Sequence, residues 1–259
     1  MRRFILPDQP LNAGQTIPLP LDTLRHVHQT LRLTSGQDIE LCDGRGRIAH
    51  CRLQEISSRS GSAHILTVRD IPSAALYIEL IQGIAKGEKL DMVLQKGTEL
   101  GANSFILTSF ERSISRLNST RSEQKKERWQ KITREAARQC GQAHLPKVTF
   151  ATSVHQAIRS AQGELKLMLW EQGDSPLPAA LPAEPPTSVS ILIGPEGGIS
   201  PSEAEDAQAC GFKSVKLGHR IMRTETAGLA IISILQYVYG DLATAGTDFR
   251  PPLKGKGPL

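Results

Sequence analysis

Hydrophobic and polar residues alternate over short runs in the first 72 positions, the pattern of half-buried strands. In DIELCDGRGRIAHCRLQEI, two such runs flank the turn sequence DGRG at 43–46, which predicts a hairpin. Between strands, Leu24, Val27 and Leu31 recur at helical spacing and predict one short helix. We therefore expect a small, β-rich, barrel-like domain over residues 1–72.

The pattern changes from residue 73 onward, where apolar strand-like runs alternate with helical segments. The strand-like runs are LYIELIQGIA, SFILTSF, LKLMLW and VSILIG, and the helices are EKLDMVLQKGTELG and a long segment from Arg121 to Gln142. Strands that alternate with helices predict an α/β domain with a mostly parallel sheet covered on both faces, here over 73–245. The Pro-rich EQGDSPLPAALPAEPPTS predicts a loop, and the tail 246–259 is expected to be disordered.

Composition is that of an ordinary soluble protein, with 39% hydrophobic and 22% charged residues in a chain of 259. No CxxC pair occurs, so we expect neither a metal site nor a disulfide framework from Cys42, Cys51, Cys140 and Cys210. The N-terminal apolar run ends at Pro7, and the longest apolar stretch, 227–239, contains Ser233 and Gln236. A cytoplasmic protein without a membrane segment is therefore expected.

The formal net charge of +5 and the pI near 9.1 are compatible with a polyanionic partner such as RNA. Arginine is concentrated in the first domain, at Arg2, Arg3, Arg25, Arg32, Arg45 and Arg47. Its planar fork of donors suits contact with phosphate. A solvated basic surface without a partner is the alternative for these residues.

A glycine-rich segment, ILIGPEGGIS, joins a buried strand to a helix. The glycines within 194–198 allow the backbone to approach a ligand closely. The helix that follows has an N-cap residue in Ser200, a proline at its first position in Pro201 and a capping box completed by Glu203, and Gly211 is expected to end it. The segment matches neither G-x-G-x-x-G nor the P-loop, so it indicates either another ligand site or a structural turn.

A second unusual loop follows the strand SVKLG. The charged and hydroxyl-bearing run HRIMRTET separates this strand from an apolar helix. Open α/β sheets bind ligands at the carboxyl ends of their strands, so two such loops after neighbouring strands are expected to line one pocket. Alternatively, Arg223 and Glu225 form a local ion pair that caps the helix.

The segment EAARQCGQ places Glu135, Arg138, Gln139 and Gln142 on one face of the long helix, because spacings of three, four and seven coincide there. These polar side chains could line a cleft for RNA or form a solvated face.

Taken together, these motifs resemble those of the SPOUT RNA methyltransferases and, within them, the RsmE-type enzymes that methylate N3 of a uridine in small-subunit (16S) ribosomal RNA. The resemblance rests on LIGPEGG, LG.RI.RTETA, KGEK.D..LQKGTELG, EAARQCGQ and HVHQTLRL, and it covers nearly the whole chain. It implies a PUA-like RNA-binding domain followed by a domain with a C-terminal trefoil knot. It also implies S-adenosyl-L-methionine as cofactor, a homodimer, and small-subunit ribosomal RNA or the 30S subunit as partner.

The resemblance also implies residue roles. The cofactor residues are Leu169, Ile193, Gly194, Pro195, Glu196, Gly198, Leu217, Gly218, Ile221, Met222, Arg223, Thr224, Thr226 and Ala227, with the backbone of Leu217, Ile221 and Met222 holding the adenine. The residues expected to contact RNA are Arg2, Arg3, Arg25, Arg32, Arg138 and Gln139. RNA is expected to contact the PUA-like domain of one protomer and the knot of the other.

Methyl transfer to N3 requires that uridine lose its N3 proton. Arg223 is the candidate to stabilise the resulting anion, and Glu225 either orients Arg223 or takes the proton. Ribose 2′-O methylation on the same fold is one rival hypothesis. A noncatalytic RNA-binding assembly factor is the other, against which the intact RTETA and GPEGG loops argue.

Overall fold

The computed structural model describes residues 2–7, 9–113, 119–173 and 175–243, with the side chains of 119–124 left out. The predicted tail 246–259 lies outside the described residues. The chain divides into two compact units. The first consists of Met1–Ser73 with Ala137–Leu145, and the second of Ala74–Ala136 with Pro146–Leu259. The first unit thus contains a segment beyond the predicted 1–72.

The first unit contains a five-stranded sheet in the order β1-β3-β4-β5-β2. Its strands are β1 (Arg3–Ile5), β2 (Thr16–Pro18), β3 (Asp38–Cys42), β4 (Arg47–Gln54) and β5 (Ser62–Asp70). β3 and β4 pair antiparallel around the DGRG turn, which confirms the predicted hairpin. Alternate strand residues such as Ile39, Leu41 and Ile65 are fully buried and form the core of this unit.

One helical segment accompanies this sheet. It begins as α1 (Leu21–Arg25) and continues as a π-helical turn over His26–Thr30. Leu24 and Val27 are buried against the sheet, whereas Arg25 is exposed, as the helical spacing predicts.

The second unit contains a seven-stranded sheet whose pairings are all parallel, in the order β10-β12-β9-β11-β6-β7-β8. Its strands are β6 (Tyr77–Gly83), β7 (Ser104–Thr108), β8 (Lys147–Phe150), β9 (Leu165–Leu169), β10 (Ser175–Pro176), β11 (Ser188–Ile193) and β12 (Lys213–Lys216). This arrangement confirms the predicted α/β class.

Helices connect these strands. They are α2 (Lys89–Glu99), α3 (Ser119–Cys140), α4 (Val154–Ser160), α5 (Leu177–Ala180), α6 (Pro201–Ala209) and α7 (Thr224–Val238). The sheet separates two apolar clusters, one with Leu80, Ile191 and Ile232 and the other with Ile81 and Leu192. Alternate residues of one strand belong to different clusters, because both faces of the sheet are covered.

Three details differ from the sequence expectations. The Pro-rich spacer is not entirely a loop, because β10 pairs with β12 and α5 forms a helical turn. Prolines are tolerated in the first turn of a helix, where their missing N–H has no partner to lose. α3 ends at Cys140 and Gly141 has φ +83°, so Gln142 does not share the helical face predicted for it.

The expectation that the two loop-bearing strands are neighbours is wrong, since β9 lies between β11 and β12. The chain therefore leaves β11, crosses past β9 through α6 and returns as β12. The knot implied for this region stays a prediction.

Within the described part of the chain, no helix combines the length and the apolar character that crossing a bilayer requires.

Candidate functional site

Two adjoining cavities lie at the carboxyl ends of the central strands of the parallel sheet. The first measures about 370 Å³ and is lined by the residues after β9 and β12, and the second measures about 490 Å³ and is lined by the residues after β9 and β11 and by the start of α7. Both are lined by Leu169, Glu171, Ile221, Met222 and Ala227. The two loops singled out in the sequence therefore meet, although their strands are separated by β9.

Most of the predicted cofactor residues line these cavities. Leu169, Leu217, Gly218, Ile221, Met222 and Ala227 line the first cavity. The second cavity is lined by the predicted catalytic Glu225 and by the predicted cofactor residues Leu169, Ile193, Gly194, Pro195, Glu196, Gly198, Ile221, Met222, Arg223, Thr224 and Ala227. Thr226 lines neither cavity, and its backbone N–H donates to the Arg223 carbonyl over 2.9 Å.

The turn after β11 requires glycine for steric reasons. Gly198 has φ +76°, and a Cβ atom there would lie 3.0 Å from Glu171 Oε1. Gly83, at the end of β6, lies under the same turn, since a Cβ atom at this position would come within 2.5 Å of the Pro195 nitrogen. The backbone of the turn therefore packs directly on the neighbouring strand end.

The start of α6 fixes this turn from the other side. The Ser200 side chain accepts from Glu203 N, and Glu203 Oε2 accepts from Ser200 N over 2.9 Å, which confirms the predicted capping box. Glu203 is buried, and its other oxygen accepts from Glu111 N over 2.7 Å. One carboxylate thus joins the helix start to the loop after β7.

Glu196 ties the turn to α2. Its Oε1 accepts from Lys89 Nζ over 2.9 Å and from Lys86 N over 3.1 Å. Burial raises the pKa of this carboxyl, but the hydrogen bond from the Lys89 ammonium and those from backbone N–H groups outweigh it, so the pKa is lowered. Glu196 is therefore ionised at neutral pH, next to a lysine that also lines the second cavity.

Arg223 and Glu225 stand at the start of α7. Arg223 is its N-cap residue, with its carbonyl accepting from Thr226 N and Ala227 N, while its side chain makes no capping hydrogen bond. Glu225 Oε2 is buried and has no hydrogen-bond partner among the described residues. Among the described residues, Arg223 and Glu225 form no ion pair with each other, so the alternative of a local ion pair that caps α7 is not what this structure contains.

His219 and Arg220, in the loop after β12, line the first cavity as expected for this loop, whereas Glu171 and Lys89 line the cavities without having been among the predicted site residues. Glu171 lines both cavities and has no ion-pair partner among the residues that the structure describes. Glu171 is the second residue after the end of β9. Because open α/β sheets bind ligands at the carboxyl ends of their strands, its position in the sequence already indicates a place in the site. Lys89 lies far in sequence from the other residues of the second cavity, so only the fold shows that it lines this cavity.

The arginines of the first unit differ in their contacts. Arg3 donates to Glu40 Oε2 over 2.9 and 3.0 Å and also donates to the Gly141 carbonyl, so its guanidinium is engaged within the unit. Arg2, Arg25 and Arg32 are exposed, as is Gln139, whereas Arg138 is half-buried. Arg3 is therefore a poorer candidate for phosphate contact than the exposed arginines.

The chain thus combines a parallel α/β unit, with a divided cavity at the carboxyl ends of its strands, and a separate β unit. The family model described as "RNA methyltransferase domain" matches residues 72–236, and that described as "RNA methyltransferase PUA domain" matches residues 22–66. The chain belongs to this RNA methyltransferase family.

Similar proteins share most of the chain. Ribosomal RNA small subunit methyltransferase E of Bacillus subtilis is 33% identical over 91% of this chain and 96% of its own. That of a Synechocystis species is 31% identical over 87% and 74%. A crystal structure of the Neisseria gonorrhoeae protein of the same name, bound to S-adenosyl methionine, superposes with a TM-score of 0.84 at 33% identity and covers 93% of this chain and 99% of that one.

Proposed function

We propose that the protein transfers a methyl group from S-adenosyl-L-methionine to N3 of a uridine in small-subunit ribosomal RNA. One observation carries the proposal: in a chain of the RNA methyltransferase family, the residues predicted from two separate loops line two adjoining cavities. The relatives named as small-subunit methyltransferases support the choice of RNA.

The residues of the two cavities fit this cofactor. Leu217, Met222 and Ala227 provide apolar surface suited to an adenine, and Gly218 has φ +76° with open space where a Cβ would be. The Glu171 carboxylate, at the junction of the cavities, complements a ligand that carries a positively charged sulfonium. When bound, the cofactor supplies the methyl group.

The two charged residues at the start of α7 suit the chemistry. Uridine N3 becomes nucleophilic when its proton leaves, and the guanidinium of Arg223 donates hydrogen bonds to a uracil carbonyl on which negative charge collects. Glu225 Oε2, buried and without a partner among the described residues, takes the N3 proton. The N3 lone pair then forms the bond to the methyl carbon as the bond from that carbon to sulfur breaks. Orientation of Arg223 by Glu225 is the second role open to this carboxylate.

The remaining parts of the proposal concern assembly and partners. The first unit binds RNA as a PUA-like domain through its exposed arginines, the second unit carries the knot, and the protein acts in the cytoplasm as a homodimer on the 30S subunit or its RNA. Sedimentation equilibrium of the purified protein tests the dimer directly. A monomer with full activity would contradict it.

Mass-spectrometric mapping tests the activity. Ribosomal RNA and 30S subunits from a strain that lacks this gene are incubated with the purified protein and labelled cofactor, with Arg223→Ala as the comparison. We expect a new methyl group on N3 of one uridine. A methyl group on a ribose would support 2′-O transfer instead, and cofactor or RNA binding without transfer to either substrate would support an assembly factor.

A further inference from the structure

We infer that Gln82, which lines neither cavity, is a positioning residue that holds the two cofactor loops together through Thr224. The inference rests on the proposed function for the identity of the ligand. Its own basis is a chain of buried hydrogen bonds beneath the second cavity.

The chain of hydrogen bonds begins at the carboxyl end of β6. Gln82 is fully buried, and its Nε2 donates to Thr224 Oγ1 over 2.8 Å and to the Gly83 carbonyl over 3.0 Å. Thr224 is also buried, and its Oγ1 donates to the Gly194 carbonyl over 2.6 Å. Three segments far apart in sequence are therefore joined by two side chains.

The direction of these hydrogen bonds follows from the inventory of donors. Thr224 has a single hydroxyl proton, which goes to Gly194, so Thr224 must accept from Gln82. A glutamine amide can donate here, whereas an ionised glutamate or a methionine of similar size cannot. Gln82 is thus the residue type that completes the chain.

Stability alone does not explain an amide at position 82. Ile78 and Leu80, which precede it on the same face of β6, belong to the apolar cluster under α7. Gln82 Oε1 is buried without a partner in the described structure, which is an unfavourable state for a carbonyl. A buried amide with an unsatisfied carbonyl is not what stability favours at this position, which indicates a role in geometry.

That geometry concerns the walls of the second cavity. Gly194 opens the turn after β11, and Thr224 stands between Arg223 and Glu225 at the start of α7. The hydrogen bonds from Gln82 to Thr224 and from Thr224 to Gly194 fix the distance between the turn after β11 and the start of α7. Without them, the turn and the helix start can separate, and the groups that touch cofactor and base lose their alignment.

Isosteric variants with matched controls test the inference. Gln82→Met and Thr224→Val remove the hydrogen bonds while keeping the side-chain volume. Gln236→Met and Thr98→Val are the controls, since Gln236 is a buried amide bonded to the Gly101 carbonyl and Thr98 a buried hydroxyl bonded to the Leu94 carbonyl. Neither control residue lines the two cavities. The measurements are thermal unfolding, affinity for S-adenosylmethionine by calorimetry, and amide hydrogen exchange without ligand.

We expect Gln82→Met and Thr224→Val each to weaken the cofactor affinity roughly tenfold and to accelerate amide exchange at both 194–199 and 224–227. The controls should lower the melting temperature but leave affinity within about twofold, because they act on stability alone. The double variant should bind about as well as the more strongly affected single variant, since both changes break one chain of bonds. Thr224→Ser, which keeps the hydroxyl, should retain more affinity than Thr224→Val.

Variants of Gln82 and Thr224 that bind and exchange like the controls would overturn the inference. If Gln82→Met does not fold, the comparison of Thr224→Ser with Thr224→Val decides it. Failure of the wild-type protein to bind S-adenosylmethionine would refute the proposed function instead, and the exchange rates of the two loops would still report on Gln82.

Discussion

Arg223 occupies the N-cap position of α7, where a cation faces the positive end of the helix dipole. Serine, threonine, asparagine or aspartate would stabilise this helix start better. Neither an ion pair nor a hydrogen bond of its side chain to a described residue offsets the unfavourable position. An arginine in such a place is better explained by a ligand than by stability.

Under the proposed mechanism, Arg223→Ala should lower the rate of methyl transfer by roughly 10²–10³, because it removes the donors assigned to the charge that develops in the reaction. Affinity for S-adenosylmethionine should stay within a few fold. Single-turnover kinetics at saturating cofactor measure the effect, with the exposed Arg159→Ala on α4 as the control. Lost cofactor binding with normal turnover at saturation would make Arg223 a binding residue.

The wild-type rate should rise with pH until the N3 proton is lost, because the proposed nucleophile is the uridine anion. A rate that does not change with pH, with chemistry limiting, would speak against the anion.

Gly198→Val should weaken cofactor binding more than about tenfold, or roughly 1.4 kcal/mol. The new side chain would be directed at Glu171 in the second cavity, on a backbone with φ +76°. Gly211→Val controls for backbone strain, since Gly211 has φ +89°, open space around it and no place in either cavity. Calorimetry on both folded variants separates obstruction of the cavity from backbone strain. Equal losses of cofactor affinity in the two variants would assign the loss to strain.

At the scale of elements, α6 shows how a short sequence determines a local structure. The N-cap, the proline and the capping-box glutamate lie within four residues, and all three act as the sequence predicts. The same Glu203 also holds the loop after β7, which no local pattern indicated.

Ser200→Ala should lower the free energy of unfolding by about 0.5–2 kcal/mol, because it leaves a helix-start N–H without its acceptor. Urea unfolding measures the change. Ser233→Ala is the control, since that hydroxyl bonds to the Leu229 carbonyl inside α7 and contributes little. Equal effects of the two substitutions would show that the capping box does not stabilise α6.

In the first unit, Glu40 links β3 to two arginines. Burial raises its pKa, but hydrogen bonds and charges from Arg3 and Arg69 outweigh this effect, so the pKa lies below the usual value for a glutamate. A lowered carboxyl pKa stabilises the fold above the unfolded value and loses this contribution as pH falls through the folded value. Glu40→Gln should therefore flatten the loss of stability below about pH 4.5, as followed by thermal unfolding across pH, whereas the exposed Glu205→Gln should not.

At the scale of the whole molecule, a basic chain is expected to bind RNA largely through phosphate contacts. The exposed Arg2, Arg25 and Arg32 are the candidates in the first unit. Arg25 makes a long contact of 3.9 Å with Asp22, whereas Arg47 is paired with Asp70 over 2.8 Å.

Replacing Arg2, Arg25 and Arg32 together by alanine should reduce RNA affinity, because each arginine that binds a phosphate displaces counterions from the RNA. The logarithmic dependence of affinity on salt should become shallower by about 0.7–0.9 for each phosphate that the variant no longer binds. Cofactor affinity should not change. Fluorescence anisotropy with a small-subunit RNA fragment gives the slope, and Arg47→Ala should leave it nearly unchanged. An unaltered slope in the triple variant would place the RNA contacts elsewhere.

Features that depend on neighbours within a few residues can be predicted from the amino-acid sequence. The hairpin at DGRG, the capping box of α6 and the alternation of strands and helices follow from local turn chemistry and hydrophobic period. The assignment of the two loops to a cofactor site rests on motif resemblance and stays a prediction. The local sequence pattern alone left both a ligand site and a structural turn open.

Contacts between distant residues, in contrast, depend on how the whole chain folds. β9 lies between β11 and β12, so the two loops converge across an intervening strand, and Glu171 reaches Gly198 for the same reason. Gln82 and Thr224 are 142 residues apart, and Arg3 is engaged by Glu40 and Gly141 rather than exposed. Such pairs depend on strand order and on the crossing of connections, and no local period in the sequence encodes either of these.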